Sequence, residues 1–404
     1  MKKFILSAIT LTAIFGLVLF VVQAAAQDNS GGKKIVVFQT GLNDTAKDEL
    51  IAHVGGIKLK NLDLIGAKAV WLPNRAAAAK LAASAGVARV DEDVVVEALV
   101  KEGSVKEQKG PAPAPQPTES LPWGINRVDA ELVWPSGNTA DPIKVGIIDT
   151  GISNTHPDLL ANVKGGVNTI NPTKSWNDDN GHGSHVAGIT ATLDNNIGVI
   201  GTGPAIDLYA IKVLDRRGSG YLSDVIEGIQ WAIANKMQVI NMSLGTALDV
   251  QSFHDAVTAA KTNGVVVVAA AGNSGGSTNE SVLFPAAYSE AIAVSATDQN
   301  NVIASFSSRG PEVDLAAPGV GIYSTYKGTS YATLSGTSMA APHVAGSAAL
   351  VLNTAIGAYD VNANGKWDPA EVQQKLQDRA TDLGSTGFDT LYGWGLVNAY
   401  AASQ

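Results

Sequence analysis

The feature that most constrains the fold is a series of continuous apolar runs after residue 119, separated by segments with helical periodicity. The predicted strands cover residues 145–149, 207–213, 239–243, 265–270 and 291–296. Strands that are apolar at successive positions are typical of a parallel sheet buried on both faces. Helices are predicted between them, for example over 223–235 and over 250–262, where Gly264 would end the helix. The pattern predicts a doubly wound, mainly parallel α/β domain with its functional groups at the carboxyl ends of the strands.

Composition limits the class of protein further. The chain of 404 residues has room for this domain and a smaller one. Its formal net charge of −9, with no basic face, argues against nucleic acid as a partner. We expect the protein to be a monomer. Cysteine is absent, which excludes disulfides and thiolate-bound metals. A secreted form would need another stabilising element, and bound cations are the obvious candidate.

The first 26 residues predict an export signal and therefore a secreted protein. Lys2 and Lys3 precede an uncharged apolar run over 4–22, and three alanines at 24–26 offer a cleavage site. The apolar run is close to the length that spans a bilayer, so a retained membrane anchor is an alternative, and a buried core helix is a third.

The region between the signal and the main domain divides into two parts. Within residues 27–99, strands are predicted at 34–39 and 67–72, helices at 45–52 and 75–85, and a Val-rich extended segment at 87–99, which together indicate a small α/β unit. Residues 100–118 are charged and then rich in proline and alanine, which is typical of an extended linker.

Three polar residues lie where predicted elements begin or end. Asp149 closes a strand, His182 lies in a Gly-rich helix start, and Ser338 precedes an Ala-rich helix. Alone, each has a plainer interpretation as a turn former, a structural histidine or a helix cap. Together they provide a nucleophile, a base to take its proton and a carboxylate to orient the base. The chain order Asp, His, Ser differs from that of the α/β-hydrolases, and no Gly-x-Ser-x-Gly elbow occurs.

Residues 119–404 resemble the subtilisin family of serine proteases along most of their length. The signature segments are Ile-Asp-Thr-Gly at 148–151, Gly-His-Gly-Ser-His-Val-Ala-Gly at 181–188 and Gly-Thr-Ser-Met-Ala at 336–340. The resemblance implies that Ser338 is the nucleophile, His182 the general base and Asp149 the orienting acid, acting through an acyl-enzyme. It also implies that Asn273 and the Ser338 backbone N–H stabilise the oxyanion.

Two further histidines require a separate interpretation. His185 matches a structural histidine of the family motif, and His343 lies inside the helix that follows Ser338. His182 and His185 have His-x-x-His spacing, but the glutamate that a zinc protease requires between them is missing. Neither His185 nor His343 is therefore our candidate base.

The resemblance also implies a substrate cleft in which a peptide backbone pairs as an added β-strand. The matching segments are Gly218-Ser219-Gly220 and Ser243-Leu244-Gly245, and Ala270, Ala271 and Gly272 would line the main specificity pocket. Leu283 matches the pocket floor, where several relatives carry a small residue. We therefore expect an uncharged pocket that prefers Leu- or Met-like side chains in protein and peptide substrates.

The segment 90–99 resembles the end of the family's inhibitory propeptide, whose tail occupies the cleft like a product, so we expect residues 27–99 to be the inhibitory propeptide. This implies self-cleavage between Leu99 and Val100, with Val96 in an outer apolar subsite near Leu222 and later trimming of the linker. The alternative is a permanently attached binding domain.

A twelve-residue stretch, 360–371, predicts a calcium loop of the EF-hand type. Oxygen-bearing residues stand at every ligand position and Gly365 at the sharp turn. Its predicted ligands are Asp360, Asn362, Asn364, the Lys366 carbonyl, Asp368 and Glu371. Asp368 and Pro369 are also well placed to start a helix. The alternative is a turn-rich surface loop.

The resemblance implies a second, stronger calcium site. Its ligands would be Glu119, Asp158, Asn195 and the carbonyls of Leu193, Ile197 and Val199. Glu312 and Asp314 suggest a weaker third site. Calcium would stabilise the folded state that binds it.

The sequence thus predicts a secreted serine endopeptidase with a hydrophobic preference, matured from a precursor that carries its own inhibitor. Two alternatives remain at this point. One is a catalytically inactive binding protein of the same fold, and the other is a membrane-tethered processing protease, although acidic pockets for basic residues are not visible.

Overall fold

The structure is a computed structural model that describes residues 31–100, 106–107, 116–275 and 281–404. The predicted export signal, residues 1–26, lies outside the described residues, as does most of the linker 100–118. Among the helices of the described part of the chain, none combines the length and apolar character that a membrane span requires.

Residues 31–100 form a small unit in which two helices cover one face of an antiparallel sheet. Its elements are β1 (Gly32–Phe38), α1 (Asp44–His53), β2 (Ile57–Leu62), β3 (Ala67–Leu72), α2 (Arg75–Ala82), β4 (Val87–Glu92) and β5 (Val95–Ala98). The strand order is β2-β3-β1-β4, and β5 extends beyond this sheet. A small core that includes Val36, Val70 and Leu81 lies between the sheet and its helices.

The rest of the described chain forms the predicted α/β domain, preceded by a short strand of the linker. Its elements are β6 (Lys106–Glu107), α3 (Trp123–Arg127), β7 (Lys144–Asp149), β8 (Val163–Asn168), α4 (His182–Ala191), β9 (Asp207–Lys212), β10 (Ser219–Tyr221), α5 (Leu222–Ala234), β11 (Val239–Met242), β12 (Leu244–Gly245), α6 (Gln251–Thr262), β13 (Val266–Ala270), β14 (Ala291–Thr297), β15 (Leu315–Pro318), β16 (Ile322–Thr325), β17 (Tyr331–Leu334), α7 (Thr337–Leu352), α8 (Pro369–Asp378) and α9 (Ala399–Ala402). Seven strands form one parallel sheet in the order β15-β14-β13-β11-β7-β9-β8.

Both faces of the large sheet are buried, as the apolar runs predict. Ile147 and Val268 belong to the core that includes α4 and α7, whereas Ile148 and Val267 belong to the core that includes α5 and α6. Successive residues of one strand therefore serve opposite cores. The predicted fold class is confirmed.

Six strands, β2, β6, β8, β15, β16 and β17, have no counterpart in the sequence prediction. β2 and β8 are edge strands and lack a continuous apolar run, since β2 carries two lysines and β8 contains Gly165 and Gly166. β15 has only four residues and ends in Pro318, so its pattern is too short to read. The elements that the sequence did predict begin and end within three residues of their observed bounds.

The small unit packs on α5 and α6 and sends β5 into the large domain. Ile35 and Ala69 of the small sheet share one buried cluster with Ile226 and Phe253 of these helices. β5 lies between β10 and β12 and is antiparallel to both. The end of the small unit therefore crosses the carboxyl edge of the large sheet.

Candidate active site

Asp149, His182 and Ser338 each lie at the end or the start of a regular element. Asp149 is the last residue of β7, His182 the first of α4 and Ser338 the second of α7. His182 Nδ1 lies 2.8 Å and 2.9 Å from the two carboxylate oxygens of Asp149. All three side chains are buried. A carboxylate at Nδ1 favours the tautomer whose Nε2 can accept a proton.

Ser338 is not the helix cap, because Gly336 occupies that position. Its hydroxyl donates to the carbonyl oxygen of Ser243 at 2.9 Å, and His182 Nε2 has no hydrogen-bond partner among the described residues. The Ser338–His182 hydrogen bond is therefore not formed in this arrangement. Catalytic hydrogen bonds often tighten only as the transition state forms.

Two glycines permit close approaches around these residues. Gly181, directly before His182, has a φ of 118°, and a Cβ there would lie 2.3 Å from the ring of Tyr326. A Cβ on Gly336 would lie 2.6 Å from the carbonyl oxygen of Leu99. A larger residue at either position would displace the His182 loop or the chain in the cleft.

Asp178 is a buried carboxylate that the sequence prediction does not include. Its Oδ1 accepts from Thr150 Oγ1 and from the backbone N–H groups of Asn180 and Gly181, each at 2.9 Å. Its Oδ2 accepts from the backbone N–H of Ser184 at 2.9 Å and from its hydroxyl at 2.6 Å. Burial raises the pKa of Asp178, and these hydrogen bonds oppose that effect. One carboxylate thus joins the residue after Asp149 to the loop and helix that carry His182.

Lys212 supports the same turn from the neighbouring strand. Its buried ammonium donates to the carbonyl oxygens of Thr150 at 2.6 Å and Leu214 at 2.9 Å, and to Asp179 at 2.8 Å. In the sequence, Asp178 and Asp179 are two consecutive acids before a loop, and only burial distinguishes them. Asp179 is 55% exposed, whereas Asp178 is 4% exposed.

Asn273 faces the chain that occupies the cleft. Its Nδ2 donates to the carbonyl oxygen of Leu99 at 2.7 Å. Its Oδ1 accepts from the backbone N–H and the hydroxyl of Thr337, both at 3.0 Å. Because an oxygen must face these two donors, the amide orientation is determined and its NH2 group points toward Leu99.

The two predicted substrate segments flank β5 on either side. Ala98 N donates to Gly218 O at 2.9 Å, and Leu99 N donates to Ser243 O at 3.2 Å. In register, Ser219 and Gly220 pair with Glu97 and Val96, and Leu244 and Gly245 pair with Ala98 and Glu97. The segments at 218–220 and 243–245 therefore pair with an extended segment of the same chain by backbone hydrogen bonds, and their role toward substrates stays a prediction.

The Leu99 side chain enters a pocket beside Leu283. Gly245 borders both leucines, since a Cβ built on it would lie 3.4 Å from Leu99 Cδ1 and 3.2 Å from Leu283 Cβ. Gly272 also borders Leu283, since a Cβ built on it would lie 2.8 Å from Leu283 Cγ. Leu283 N donates to Ala271 O at 2.9 Å, which places it along the wall that Ala270 continues. Val96, three residues upstream of Leu99, is fully buried in the cluster that contains Leu222.

His185 and His343 have structural surroundings. His185 Nε2 lies 3.1 Å from the carbonyl oxygens of both Ile322 and Ala332, and burial lowers the pKa of His185 to about 3. His343 Nδ1 lies 2.8 Å from Met339 O, and burial lowers its pKa to about 4. Both rings hold backbone groups in place and are neutral at physiological pH.

Comparison with known proteins decides the family. A model described as the subtilase family of peptidases matches residues 140–395. The chain belongs to the subtilase family. Subtilisin Savinase of Lederbergia lenta is 49% identical over 286 residues, which are 71% of this chain and 100% of that one. Subtilisin E of Bacillus subtilis is 40% identical over 387 residues, which are 95% of this chain and 93% of that one.

This subtilase is a serine endopeptidase, as the sequence resemblance predicts. The alkaline protease of Shouchella clausii shows the same level of similarity, 49% over 286 residues, covering 71% of this chain and 70% of its own. The match to Savinase involves a stretch as long as residues 119–404. The match to Subtilisin E also includes most of the region before it.

In the predicted EF-hand loop of this subtilase, the ligand side chains converge. Asp360 and Asn362 both accept from the Asn364 backbone N–H, at 2.9 Å and 3.0 Å. Asp368 accepts from the side-chain amides of Asn362 and Asn364, at 2.5 Å and 2.9 Å. Rotating these two amides would turn their oxygens toward Asp368 and any cation beside it. The oxygen-bearing side chains are of the kind that calcium prefers, but the three carboxylates of the loop are not drawn together as a metal group. Calcium binding by this loop therefore stays a prediction.

Helix α8 begins from this loop as predicted. Asp368 is the N-cap and Pro369 the first helical residue, and Glu371 accepts from Asp368 N at 2.8 Å and from Val361 N at 3.1 Å. Glu371 is 4% exposed, so its carboxylate faces the loop rather than solvent. Lys366 is exposed, and its carbonyl remains a predicted ligand only.

The predicted strong calcium site also brings its side chains together. Asp158 accepts from Asn195 Nδ2 at 3.1 Å, and Glu119 accepts from Asn195 N at 2.8 Å. Burial, with a smaller contribution from Glu119, raises the pKa of Asp158 to about 6. A cation beside these carboxylates would compensate both charges. Leu193, Ile197 and Val199 belong to the same loop, and Val199 N donates to Asp158 at 3.0 Å.

The weak third site is not supported by the surroundings of Asp314. Its Oδ2 accepts from Ala293 N at 2.9 Å, and its Oδ1 accepts from the amides of Gln373 at 3.0 Å and Gln377 at 2.8 Å. Both oxygens are thus engaged by neutral donors without Glu312. Across residues 31–100, 116–275 and 281–404, no group of three or more acidic or histidine side chains is arranged to hold a metal.

Proposed function

We propose that this subtilase is made as a precursor, that Ser338, His182 and Asp149 are its catalytic triad, and that residues 27–99 inhibit it until they are removed. One observation carries the proposal: the Leu99 carbonyl oxygen lies 2.7 Å from Asn273 Nδ2 while β5 pairs with both walls of the cleft. A segment bound in this way has the position of a substrate with Leu99 before the scissile bond.

The reaction follows from these positions. Ser338 Oγ attacks the carbonyl carbon of the scissile bond, and its proton moves to His182 Nε2. The carbonyl π electrons move to the oxygen, where Asn273 Nδ2 and the Ser338 backbone N–H stabilise the charge. The C–N bond then breaks, the leaving amine takes the proton from His182, and an ester to Ser338 remains. Water repeats the sequence, breaks the ester and returns the proton to Ser338.

The catalytic assignment is testable by active-site labelling. A serine-directed fluorophosphonate should label the processed protein, and Ser338→Ala should abolish both labelling and peptidase activity. Ser347→Ala is the matched control, since Ser347 lies on the same helix and its hydroxyl donates to His343 O within that helix. Unlabelled but folded wild-type protein would instead support an inactive binding protein of this fold.

The specificity pocket supports a preference for medium-sized apolar residues before the scissile bond. Leu283 fills part of the space that Gly245 and Gly272 leave open, and Leu99 belongs to a hydrophobic cluster against which Leu283 packs. Val96 and Leu222 share an apolar cluster, which supports a second preference three residues upstream of Leu99. A peptide library should therefore give the highest kcat/KM for Leu or Met at the first position and an aliphatic residue at the fourth.

We place the first self-cleavage between Leu99 and Val100. Val100 lines a cleft of about 410 Å³ together with His182, Tyr326 and Leu334, so both sides of this bond lie in the proposed site. Amino-terminal sequencing of wild-type enzyme purified early should find Val100 first, and Ser338→Ala should stay uncut. A mature protein that keeps residues 31–99 covalently attached would contradict the assignment.

Calcium at the 360–371 loop and at the Glu119–Asp158–Asn195 loop would stabilise the folded enzyme. When bound, the ion supplies charge compensation to the carboxylates and takes no part in the reaction. Chelation should lower the thermal midpoint by several degrees, and Asp360→Asn should remove only part of this shift. An identical melting curve with and without chelator would exclude both sites.

Residues 1–26 support export, and we propose that the mature enzyme is extracellular. Comparison of the culture medium with the membrane fraction tests this. Enzyme found only with the membrane would favour the tethered alternative.

A further inference from the structure

The interface between the small unit and helices α5 and α6 carries opposite charges on its two sides. Lys60 and Arg89 of the small unit face Asp224, Glu227 and Asp255 of the helices. We propose that these contacts, which we call the ionic interface, select this enzyme's own propeptide as its inhibitor after the first cut. This inference rests on the proposed function, in which residues 27–99 are released as a separate chain.

Lys60 makes the central contact of the ionic interface. Its ammonium contacts the carboxylate of Asp224, donates to Glu227 Oε2 at 2.8 Å and donates to the Thr169 carbonyl at 2.8 Å. The three donors of an ammonium group thus have three acceptors, all from the large domain. Side-chain exposure is 19% for Lys60 and 8% for Asp224. This pair is therefore shielded from solvent far better than an ordinary surface ion pair.

Asp224 is held in position by its own helix. It lies in the first turn of α5, where its carboxylate accepts from Tyr221 N at 3.3 Å. It cannot turn away from Lys60 without losing this contact. Without the small unit, Asp224 and Glu227 would lie side by side on one helix face with no cation from Lys60.

Arg89 makes a second contact in which a cation of the small unit meets a carboxylate of the large domain. Its guanidinium contacts the carboxylate of Asp255 on α6 and that of Asp91 on its own strand, the latter at 2.7 Å. Asp91 in turn accepts from Ser252 N at 3.2 Å. The cation therefore connects the end of the small sheet to the start of α6.

The remaining polar contacts across this face explain adhesion rather than selection. Asp93 accepts from the backbone N–H and the hydroxyl of Ser223, both at 2.8 Å, at the start of α5. Leu64 N donates to Gln230 at 2.8 Å. The backbone and neutral groups on α5 can bind any segment of similar shape. Asp224 and Glu227, in contrast, disfavour a segment that places no cation beside them, because their charges would then be left partly buried and unpaired. The ionic interface therefore discriminates among propeptides of the same fold.

The test uses the full precursor and measures the lag between cleavage of the first bond and the appearance of activity on a small peptide substrate. Lys60→Met should shorten the lag on the order of 10-fold or more, because it leaves Asp224 partly buried without its cation. Lys58→Met is the matched control: Lys58 lies on the same strand but pairs with Asp48 of the small unit at 3.0 Å. Its lag should equal that of the wild type.

The large-domain side of the ionic interface provides an independent variant in case Lys60→Met does not fold. Asp224→Asn/Glu227→Gln should shorten the lag as Lys60→Met does, and adding Lys60→Met to this pair should change it little. A wild-type lag in both Lys60→Met and Asp224→Asn/Glu227→Gln would overturn the inference. A wild-type precursor with no lag at all would instead refute the inhibitory role of residues 27–99.

Discussion

Replacing Asp178 by asparagine tests whether a buried carboxylate that never touches substrate controls catalysis. Asp178 accepts five hydrogen bonds, three on Oδ1 and two on Oδ2, and these tie Thr150 to the segment around His182. Asparagine has nearly the same shape but offers one oxygen and one NH2 group. If the oxygen keeps the partners of Oδ1, the NH2 group faces the backbone N–H of Ser184.

The magnitude follows from these partners. The Ser184 hydroxyl can turn to accept from the new NH2 group, but its backbone N–H loses its only acceptor, which costs about 1–3 kcal/mol when buried. The other three hydrogen bonds lose a charged acceptor, which weakens each by about half. We expect the free energy of unfolding to fall by about 2–4 kcal/mol. Because a displacement of about 1 Å at a catalytic group can cost about 100-fold, kcat should fall between 10- and 100-fold.

The assay is steady-state kinetics on a small peptide substrate, with urea unfolding of Ser338→Ala versions to avoid self-digestion. Asp179→Asn is the matched control, since it removes the same charge one residue away from an exposed side chain. Asp178→Asn should lower kcat with KM nearly unchanged, because Asp178 does not contact the cleft. If kcat of Asp178→Asn lay within twofold of Asp179→Asn, the positioning role would be wrong, even if the variant were less stable.

Three further predictions concern the cleft and the propeptide. Asn273→Ala should lower kcat by about 10²–10³, a figure measured for the corresponding amide in a subtilisin, with KM changed little; a fall below tenfold in kinetics on a peptide substrate would contradict its role. Leu283→Gly should deepen the pocket and move the preference from Leu toward Phe in a peptide-library profile, whereas an unchanged profile would show that Leu283 does not form the floor. Burial lowers the pKa of Lys60, but Asp224 and Glu227 outweigh this effect and raise it. The contribution of Lys60 to propeptide binding is therefore complete below the ordinary lysine pKa of about 10.5 and is lost as the pH rises through the raised value. The lag after self-cleavage should therefore lose its dependence on Lys60 only above about pH 10.5, and loss of this dependence at neutral pH would refute the ionic account.

Elements that depend only on neighbouring residues can be predicted from the sequence without the structure. Burial on both faces forces an apolar residue at nearly every position of β7, β11 and β13, so these strands are evident from the sequence. β8 is an edge strand with Gly165 and Gly166, and it satisfies no such pattern. The twelve-residue calcium loop is similarly local, since its ligands come from one short segment with a fixed spacing.

Contacts between residues that are distant in the sequence are harder to predict from the sequence. Asp178 and Asp179 are adjacent and chemically identical, and only the packing of β7 against α4 decides that one is buried with five donors while the other faces solvent. Lys60 and Glu227 are 167 residues apart in the sequence, and their charges alone give no reason to pair them.

The sequence by itself determined the fold class, the family and the roles proposed for Ser338, His182, Asp149 and Asn273, because each follows from a local pattern or from a motif of a few residues that resembles the family's. Only the tertiary structure decided that β5 lies in the cleft with the Leu99 carbonyl on Asn273, and that Lys60 meets two carboxylates of α5. The physical reason is that hydrogen bonds and ion pairs act over a few ångströms, and only folding brings residues distant in the chain within that range.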